Sequence, residues 1–218
     1  MKIVLGVSGS IAAYKSPDLV RRLRELGHEV RVVMSRGGIS FVTPLTLQAV
    51  SGYPVVYDLL DPAHEAGMGH IELARWADLI LIAPASANLI SRLAAGSAED
   101  LLSAIVLATE KPIMLAPGMN RLMWANSFVQ RNVAALSAAG IDILTPGSGA
   151  QACGEVGLGR MPEPLEIRDH VTAFFQRSAT DTAFDSRTDL GVEMVDGADE
   201  VDENSESQGV LIGKRVVI

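Results

Sequence analysis

Four short apolar runs, separated by stretches of helical period, constrain this chain more than any other feature. They are KIVLGVS (2–8), HEVRVVMS (28–35), DLILIAPAS (78–86) and KPIMLAPGMN (111–120). Runs of this length with little polar alternation suit strands buried on both faces, as in a parallel sheet. DLILIAPAS is the most hydrophobic and is expected at the sheet centre. Between the runs, residues 11–26 predict a helix with Leu19, Val20, Leu23 and Leu26 on one face and Gly27 as its stop. Further helices are expected over 43–52, with Pro44 in the first turn, and over 70–77, 87–96, 100–109 and 121–139. IDILTPGSG is expected as the last strand, and PLEIRDHVTAFF (164–175) as the closing helix. Strand–helix alternation of this kind predicts right-handed crossovers and a doubly wound parallel sheet of the α/β class.

The charge is unevenly placed. The net charge is −8, but residues 178–209 hold ten acidic side chains against Arg187 alone, leaving −1 for residues 1–177. The main domain is therefore expected over 1–177, with 178–209 as an acidic disordered linker. GVLIGKRVVI then reads as the opening strand of another domain, beginning at 210. No basic footprint points to nucleic acid. No apolar run approaches the roughly 18 residues of a membrane span, and MKIVLGVSGS lacks the apolar core of a signal peptide. The single cysteine allows no intramolecular disulfide and suits a reducing, cytoplasmic location.

In an open α/β sheet, ligands bind beyond the carboxyl ends of the strands. Ser8, Gly9 and Ser10 after the first strand place hydroxyls and N–H groups where a phosphate could sit. A plain serine cap explains the same residues. The spacing is neither GxGxxG nor a P-loop. APASAN and APGMN share one form, with Ser86, Asn88 and Asn120 able to cap a helix or bind a ligand; their repetition on adjacent strands favours a shared site. His70 stands at a glycine-to-helix junction, where a structural histidine is the ordinary reading. His28 and His170 read as surface positions, and His64 is uninformative. The scattered His and Cys residues offer no metal site. The sole thiol, Cys153, lies in QACGEVGLGRMPEP (151–164), whose glycines and prolines read as a loop.

Taken in order, SGSIAAYK, FVTPLTLQAVSG, GHIELARWADLILIAPASANLISRLAAG, APGMN and QACGEVGLGRMPEP make the chain resemble the flavin-dependent cysteine decarboxylases, over roughly residues 1–176. Within them it resembles the branch acting on phosphopantothenoylcysteine in coenzyme A biosynthesis. LIGKRVVI is similar to the start of the ligase domain that follows in bifunctional members. One departure is Gly118, where the family usually has Ala.

The resemblance implies a Rossmann-like flavoprotein fold and a trimer, or a dodecamer of trimers, with FMN between protomers. It implies that Gly9, Ser10, Ile11 and Ser35 hold the FMN phosphate and ribityl chain. Phe41 and Thr43 would approach the ring, and Ser86, Ala87 and Asn88 would line the flavin pocket. His70, Asn120 and Cys153 would be catalytic, Asn120 holding the substrate carboxylate. Met119, Ala152, Gly159, Arg160 and Met161 would contact substrate, the last three in a mobile flap. The implied reaction oxidises the cysteine CH2–SH to a thioaldehyde, loses CO2 to an enethiolate, and returns the electrons as Cys153 delivers a proton. The product is 4′-phosphopantetheine. Peptide-cysteine decarboxylases, which lack this cysteine, and flavin prenyltransferases are disfavoured by the Cys153 loop. A non-enzymatic flavin-fold regulatory subunit is disfavoured by the joint presence of His70, Asn120 and Cys153.

Overall fold

The computed structural model describes residues 1–59 and 69–188, with side chains as far as residue 177. Five strands form one sheet: β1 (Lys2–Val7), β2 (Glu29–Met34), β3 (Leu79–Ala85), β4 (Ile113–Pro117) and β5 (Asp142–Ile143). Their order is β2-β1-β3-β4-β5, and every pairing is parallel. β3 is central, as its hydrophobicity predicts. In this order the connection reverses direction between β1 and β3, and a crevice opens at their carboxyl ends.

The helices are α1 (Ser16–Glu25), α2 (Arg36–Ile39), α3 (Pro44–Ser51), α4 (His70–Trp76), α5 (Ala87–Ala94), α6 (Leu101–Leu107), α7 (Arg121–Ala125), α8 (Ser127–Ala138) and α9 (Pro164–Thr188). Period-2 alternation sorts each strand between two cores. Ile3, Leu5, Leu79 and Leu81 face Leu19 and Leu23 of α1, Leu47 of α3, and Ile167 and Val171 of α9. Val4, Ile80 and Ile82 face Leu73 of α4, Leu89 and Ile90 of α5, and Leu102 and Ile105 of α6. Both faces are covered, which is why the strands read as continuous apolar runs.

Several segments differ from expectation for local reasons. Residues Ile11–Lys15 form a separate 3₁₀ turn before α1. Pro17 has no N–H to extend a helix backwards and instead starts a new one. The expected 121–139 helix is two, because Asn126 is extended and its side chain accepts from the Phe128 N–H at 2.9 Å, capping α8. The last strand stops after Ile143 because Pro146 cannot continue a ladder.

The cysteine segment is not an irregular loop. Its second half is β7 (Val156–Arg160), which pairs antiparallel with β6 (Gly147–Ala150) in a hairpin. Two of the histidines read as surface positions are engaged. His28 packs on Phe175 at 5.8 Å, and His170 lies 2.8 Å from Asp142, joining α9 to β5. Burial, and then the nearby amino terminus, lower the His28 pKa.

Residues Met1–Gln176 form one compact unit. α9 runs to Thr188, so the opening of the stretch expected to be disordered is helical. RSATDTAFDSRT contains neither Gly nor Pro to stop it. The rest of the expected linker, the closing strand from 210, and His64 all lie outside the described residues. Among the described residues no helix is long and apolar enough to cross a membrane.

Candidate functional site

A cavity of about 730 Å³ lies beyond the carboxyl ends of β1, β3 and β4, roofed by the β6–β7 hairpin. That size suits a cofactor or drug-sized ligand. Fourteen residues singled out from the sequence line it: Gly9, Ser10, Ile11, Phe41, Ser86, Ala87, Asn88, Met119, Asn120, Ala152, Cys153, Gly159, Arg160 and Met161. Strands distant in sequence thus bring their ends to one place.

The serine loops are built first for structure. Ser8 Oγ donates to the Pro84 carbonyl at 2.8 Å and accepts from the Ser86 N–H at 2.8 Å, tying the β1 loop to the β3 loop. Ser10 Oγ accepts from the Ala12 N–H, and Ser86 Oγ accepts from the Leu89 N–H, so both cap the turns that follow. A Cβ added to Gly9 would meet the Gly37 Cα at 3.0 Å. Only glycine lets these two loops approach so closely and leaves bare backbone facing the cavity.

Ser35, Thr43 and His70 do not line the cavity. Ser35 is buried and caps α2 through the Gly38 N–H, and Thr43 caps α3 through the Thr46 N–H. His70 opens α4, with its Nδ1 buried and without a hydrogen-bond partner among the described residues.

The reactive wall is formed where the hairpin docks on the β4–α7 loop. The Met119 N–H donates to the Gly159 carbonyl at 2.8 Å. Gly159 has φ +134°, and a Cβ there would strike the Met119 carbonyl at 2.5 Å. Asn120 Oδ1 accepts from the Leu122 N–H at 2.8 Å, which fixes the orientation of its amide. Asn120 Nδ2 then points to Cys153 Sγ at 3.3 Å and donates to Glu155 Oε2 at 2.8 Å. Cys153 is exposed and lies 3.8 Å from the same carboxylate oxygen. Arg121 flanks Glu155 at 3.4 Å. The hydrogen bond from Asn120, with the Arg121 charge and the Cys153 contact, holds the Glu155 carboxyl below its ordinary range against the opposing pull of desolvation.

Sequence reasoning missed Gln151, Glu155 and Lys15. Gln151 Oε1 accepts from the Arg121 N–H at 2.9 Å, and its Nε2 donates to the Met119 carbonyl at 3.3 Å. One side chain thereby brackets Asn120 from both sides. Polar residues flanking the sole cysteine were the available signal for both Gln151 and Glu155. Lys15 lines the cavity with its amine on Glu163, and nothing in IAAYK marks it as buried. Gly118, the departure noted above, packs tightly: a Cβ there would lie 3.2 Å from the Met161 Cβ.

Among the described residues no group of His, Cys, Asp and Glu could hold a metal ion. The cavity residues do fit a flavin mononucleotide. Glycine backbone at Gly9 and the Ser10 and Ser86 side chains line it, and Ile11, Phe41, Ala87 and Met119 offer apolar surface for a ring.

The chain is similar to known flavoproteins. The family profile described as Flavoprotein matches residues 1–176. The chain is 58% identical over 175 residues to the coenzyme A biosynthesis bifunctional protein CoaBC of Vibrio vulnificus (strain YJ016), covering 80% of this chain and 44% of that protein. It thus spans less than half the length of the curated relatives it matches. Among solved structures it is similar to a PPC decarboxylase carrying a cysteine-to-serine substitution, complexed with pantothenoylaminoethenethiol. The TM-score is 0.71 at 34% identity, over 80% of this chain and 98% of that one. It is also similar to the FMN binding protein AtHal3, with TM-score 0.70 and 35% identity over 81% of this chain and 97% of that one.

Proposed function

The chain belongs to the flavoprotein family, and on that premise we propose that it is an FMN-dependent decarboxylase converting 4′-phosphopantothenoylcysteine to 4′-phosphopantetheine. The observation that carries this reading is the placing of Cys153 Sγ 3.3 Å from Asn120 Nδ2 on the wall of one cavity.

Loss of CO2 from an N-acyl cysteine leaves charge on a carbon with no sink of its own; FMN, when bound, supplies the reversible two-electron chemistry that provides one. The Gly9–Ile11 loop and the Ser86–Asn88 loop are the residues that would hold it. Asn120, its amide oriented by Leu122, presents Nδ2 to the substrate carboxylate. The carbon that loses CO2 therefore lies beside that amide and beside the thiol. Cys153 delivers the proton to this carbon as the electrons return, giving the saturated product. The hairpin roof, pinned to the β4–α7 loop, excludes water meanwhile.

The site is completed by a second copy of the chain. His70 does not reach the cavity of its own protomer, although its buried Nδ1 lacks a partner among the described residues. Ile11, Tyr14 and Phe41 at the cavity are exposed apolar side chains of the sort a neighbouring protomer covers. A trimer, alone or in a dodecamer, sets such a neighbour at each site. In a longer parent protein, a ligase joining phosphopantothenate to cysteine supplies this substrate, and both act in the cytoplasm.

The test is direct. The purified chain carries a flavin absorbance spectrum and turns phosphopantothenoylcysteine into phosphopantetheine, identified by mass. A colourless protein without turnover overturns the proposal.

A further inference from the structure

The amide assigned to the substrate carboxylate already holds a carboxylate belonging to the chain. Asn120 Nδ2 donates to Glu155 Oε2 at 2.8 Å, and this is the shortest contact that the amide nitrogen makes. Arg121 supports the same group from its other side, with Nε at 3.4 Å from Oε2 and Nη2 at 3.5 Å from Oε1. Amide, guanidinium and thiol together therefore form a seat for one carboxylate. Glu155 fills it from outside the cavity, since it does not line the cavity itself. The seat is not needed to orient Asn120, because Leu122 does that through Oδ1.

We infer that Glu155 is a built-in stand-in for the substrate carboxylate, displaced from Asn120 onto Arg121 when a carboxylate-bearing substrate enters and returning once CO2 has left. This rests on the role given to Asn120 above. Two carboxylates on one amide repel, so the entering group and Glu155 compete for the seat. Arg121 gives the displaced side chain an adjacent partner, so the exchange leaves no carboxylate unpaired. Glu155 sits two residues from Cys153, within the turn that joins β6 to β7. Its movement is therefore felt at the thiol when the carboxylate arrives and again when it departs. The device offsets part of the affinity gained from the substrate's carboxylate, and Glu155 refills the seat once that group has left as CO2.

The experiment uses two inert ligands on the FMN-loaded enzyme, with binding measured by calorimetry. One is phosphopantothenoylserine, whose hydroxyl replaces the reacting thiol; the other is the same molecule without its carboxylate. Glu155→Ala is expected to lower the Kd of the carboxylate ligand about fivefold, the scale of a screened hydrogen bond to a charged group. The Kd of the carboxylate-free ligand stays unchanged. Glu155→Gln, which keeps the shape of the hairpin turn, moves the ratio of the two Kd values in the same direction by less.

Freeing Arg121 to bind the ligand would give a similar gain, so the comparison is repeated in an Arg121→Gln background. There, removal of Glu155 is again expected to tighten the carboxylate ligand. Unchanged or weakened binding in either background overturns the inference while leaving the decarboxylase reading intact. Failure of the unmodified enzyme to bind either ligand overturns both.

Discussion

The ammonium of Lys15, only 9% exposed at the edge of the cavity, lies 2.7 Å from the carboxylate of Glu163. Glu163 is half exposed and also receives Arg160 Nη2 at 3.2 Å. The pair fastens the strand returning from the hairpin to the turn after β1, so the cavity's floor and roof share an anchor.

Removing one partner of this pair is expected to matter more than replacing the other by an apolar shape. Glu163→Ala leaves Lys15 buried with only the Met161 carbonyl at 3.4 Å. It is expected to destabilise the protein by about 1–3 kcal/mol, the penalty for a buried polar group losing its partner. Lys15→Met keeps the packing and is expected to cost less. Urea midpoints of the two variants, measured at one pH, give the order; a reversed order means the pair does not anchor the return.

Gln151 is expected to act through Asn120 rather than on substrate. Gln151→Leu removes the hydrogen bonds to the Arg121 N–H and the Met119 carbonyl. The loss of two such bonds predicts a fall of about tenfold in kcat/KM. Gln151→Glu keeps the acceptor but sets a carboxylate against the Met119 carbonyl, and it should fall between the two. Bound flavin absorbance stays unchanged in both variants. A parallel loss of flavin would mean that Gln151 supports the whole cavity instead.

The sheet, and the end of it that binds, were legible because buried parallel strands have no polar alternation. The fourteen cavity residues found in advance follow from that placement together with the family resemblance. The hairpin was not legible. VGLGR and GSGA carry too little apolar surface to announce a strand, and what holds them is backbone pairing with each other and the Met119 N–H bond to the Gly159 carbonyl. Lys15 was hidden for a related reason: its burial comes from Glu163, which is distant in sequence. The break at Asn126 was available in principle, since Asn before Ser is a familiar cap, but the apolar period runs through it. His70 illustrates a limit of another kind. It does not line the cavity of its own chain, and only the assembly proposed above would bring it to one.

Asp100 makes the acid stability of the fold testable. Burial pushes its carboxyl upward. The Arg92 guanidinium at 2.8 Å, with the Ser103 N–H and hydroxyl, outweighs that and leaves it below its ordinary value. A carboxyl lowered by folding contributes stability that is present above its unfolded pKa and is lost as pH falls through the folded one. Asp100→Asn keeps a capping oxygen but loses the ion pair with Arg92, and is therefore expected to cost about 1–2 kcal/mol at pH 7. The difference from wild type should shrink below about pH 4, where the unfolded carboxyl is protonated. Urea unfolding across that range checks it; a gap that widens in acid contradicts the assignment.

Cys153→Ser is expected to separate decarboxylation from the final protonation. Serine keeps the size and a hydrogen bond to Asn120, but a hydroxyl is a far weaker acid than a thiol. The variant should hold its flavin and release CO2 while accumulating the enethiol, two hydrogens lighter than the normal product by mass. Normal phosphopantetheine formation would remove Cys153 from the role of proton donor.

The shared site proposed above predicts complementation. His70→Asn and Cys153→Ser are each expected to abolish normal product formation when present in every protomer. In a mixed assembly, some interfaces join the intact His70 of one copy to the intact Cys153 of another. In a cyclic trimer that holds both variants one interface in three is intact, so about a third of the wild-type rate should return in the mixed assemblies. Were both residues contributed by the same protomer, every site would carry one defect and no rate would return. Co-expression of the two variants with different affinity tags, sequential purification, and assay of the doubly tagged assemblies reads the outcome. A recovered rate also establishes self-association, since only an interface between copies can generate it.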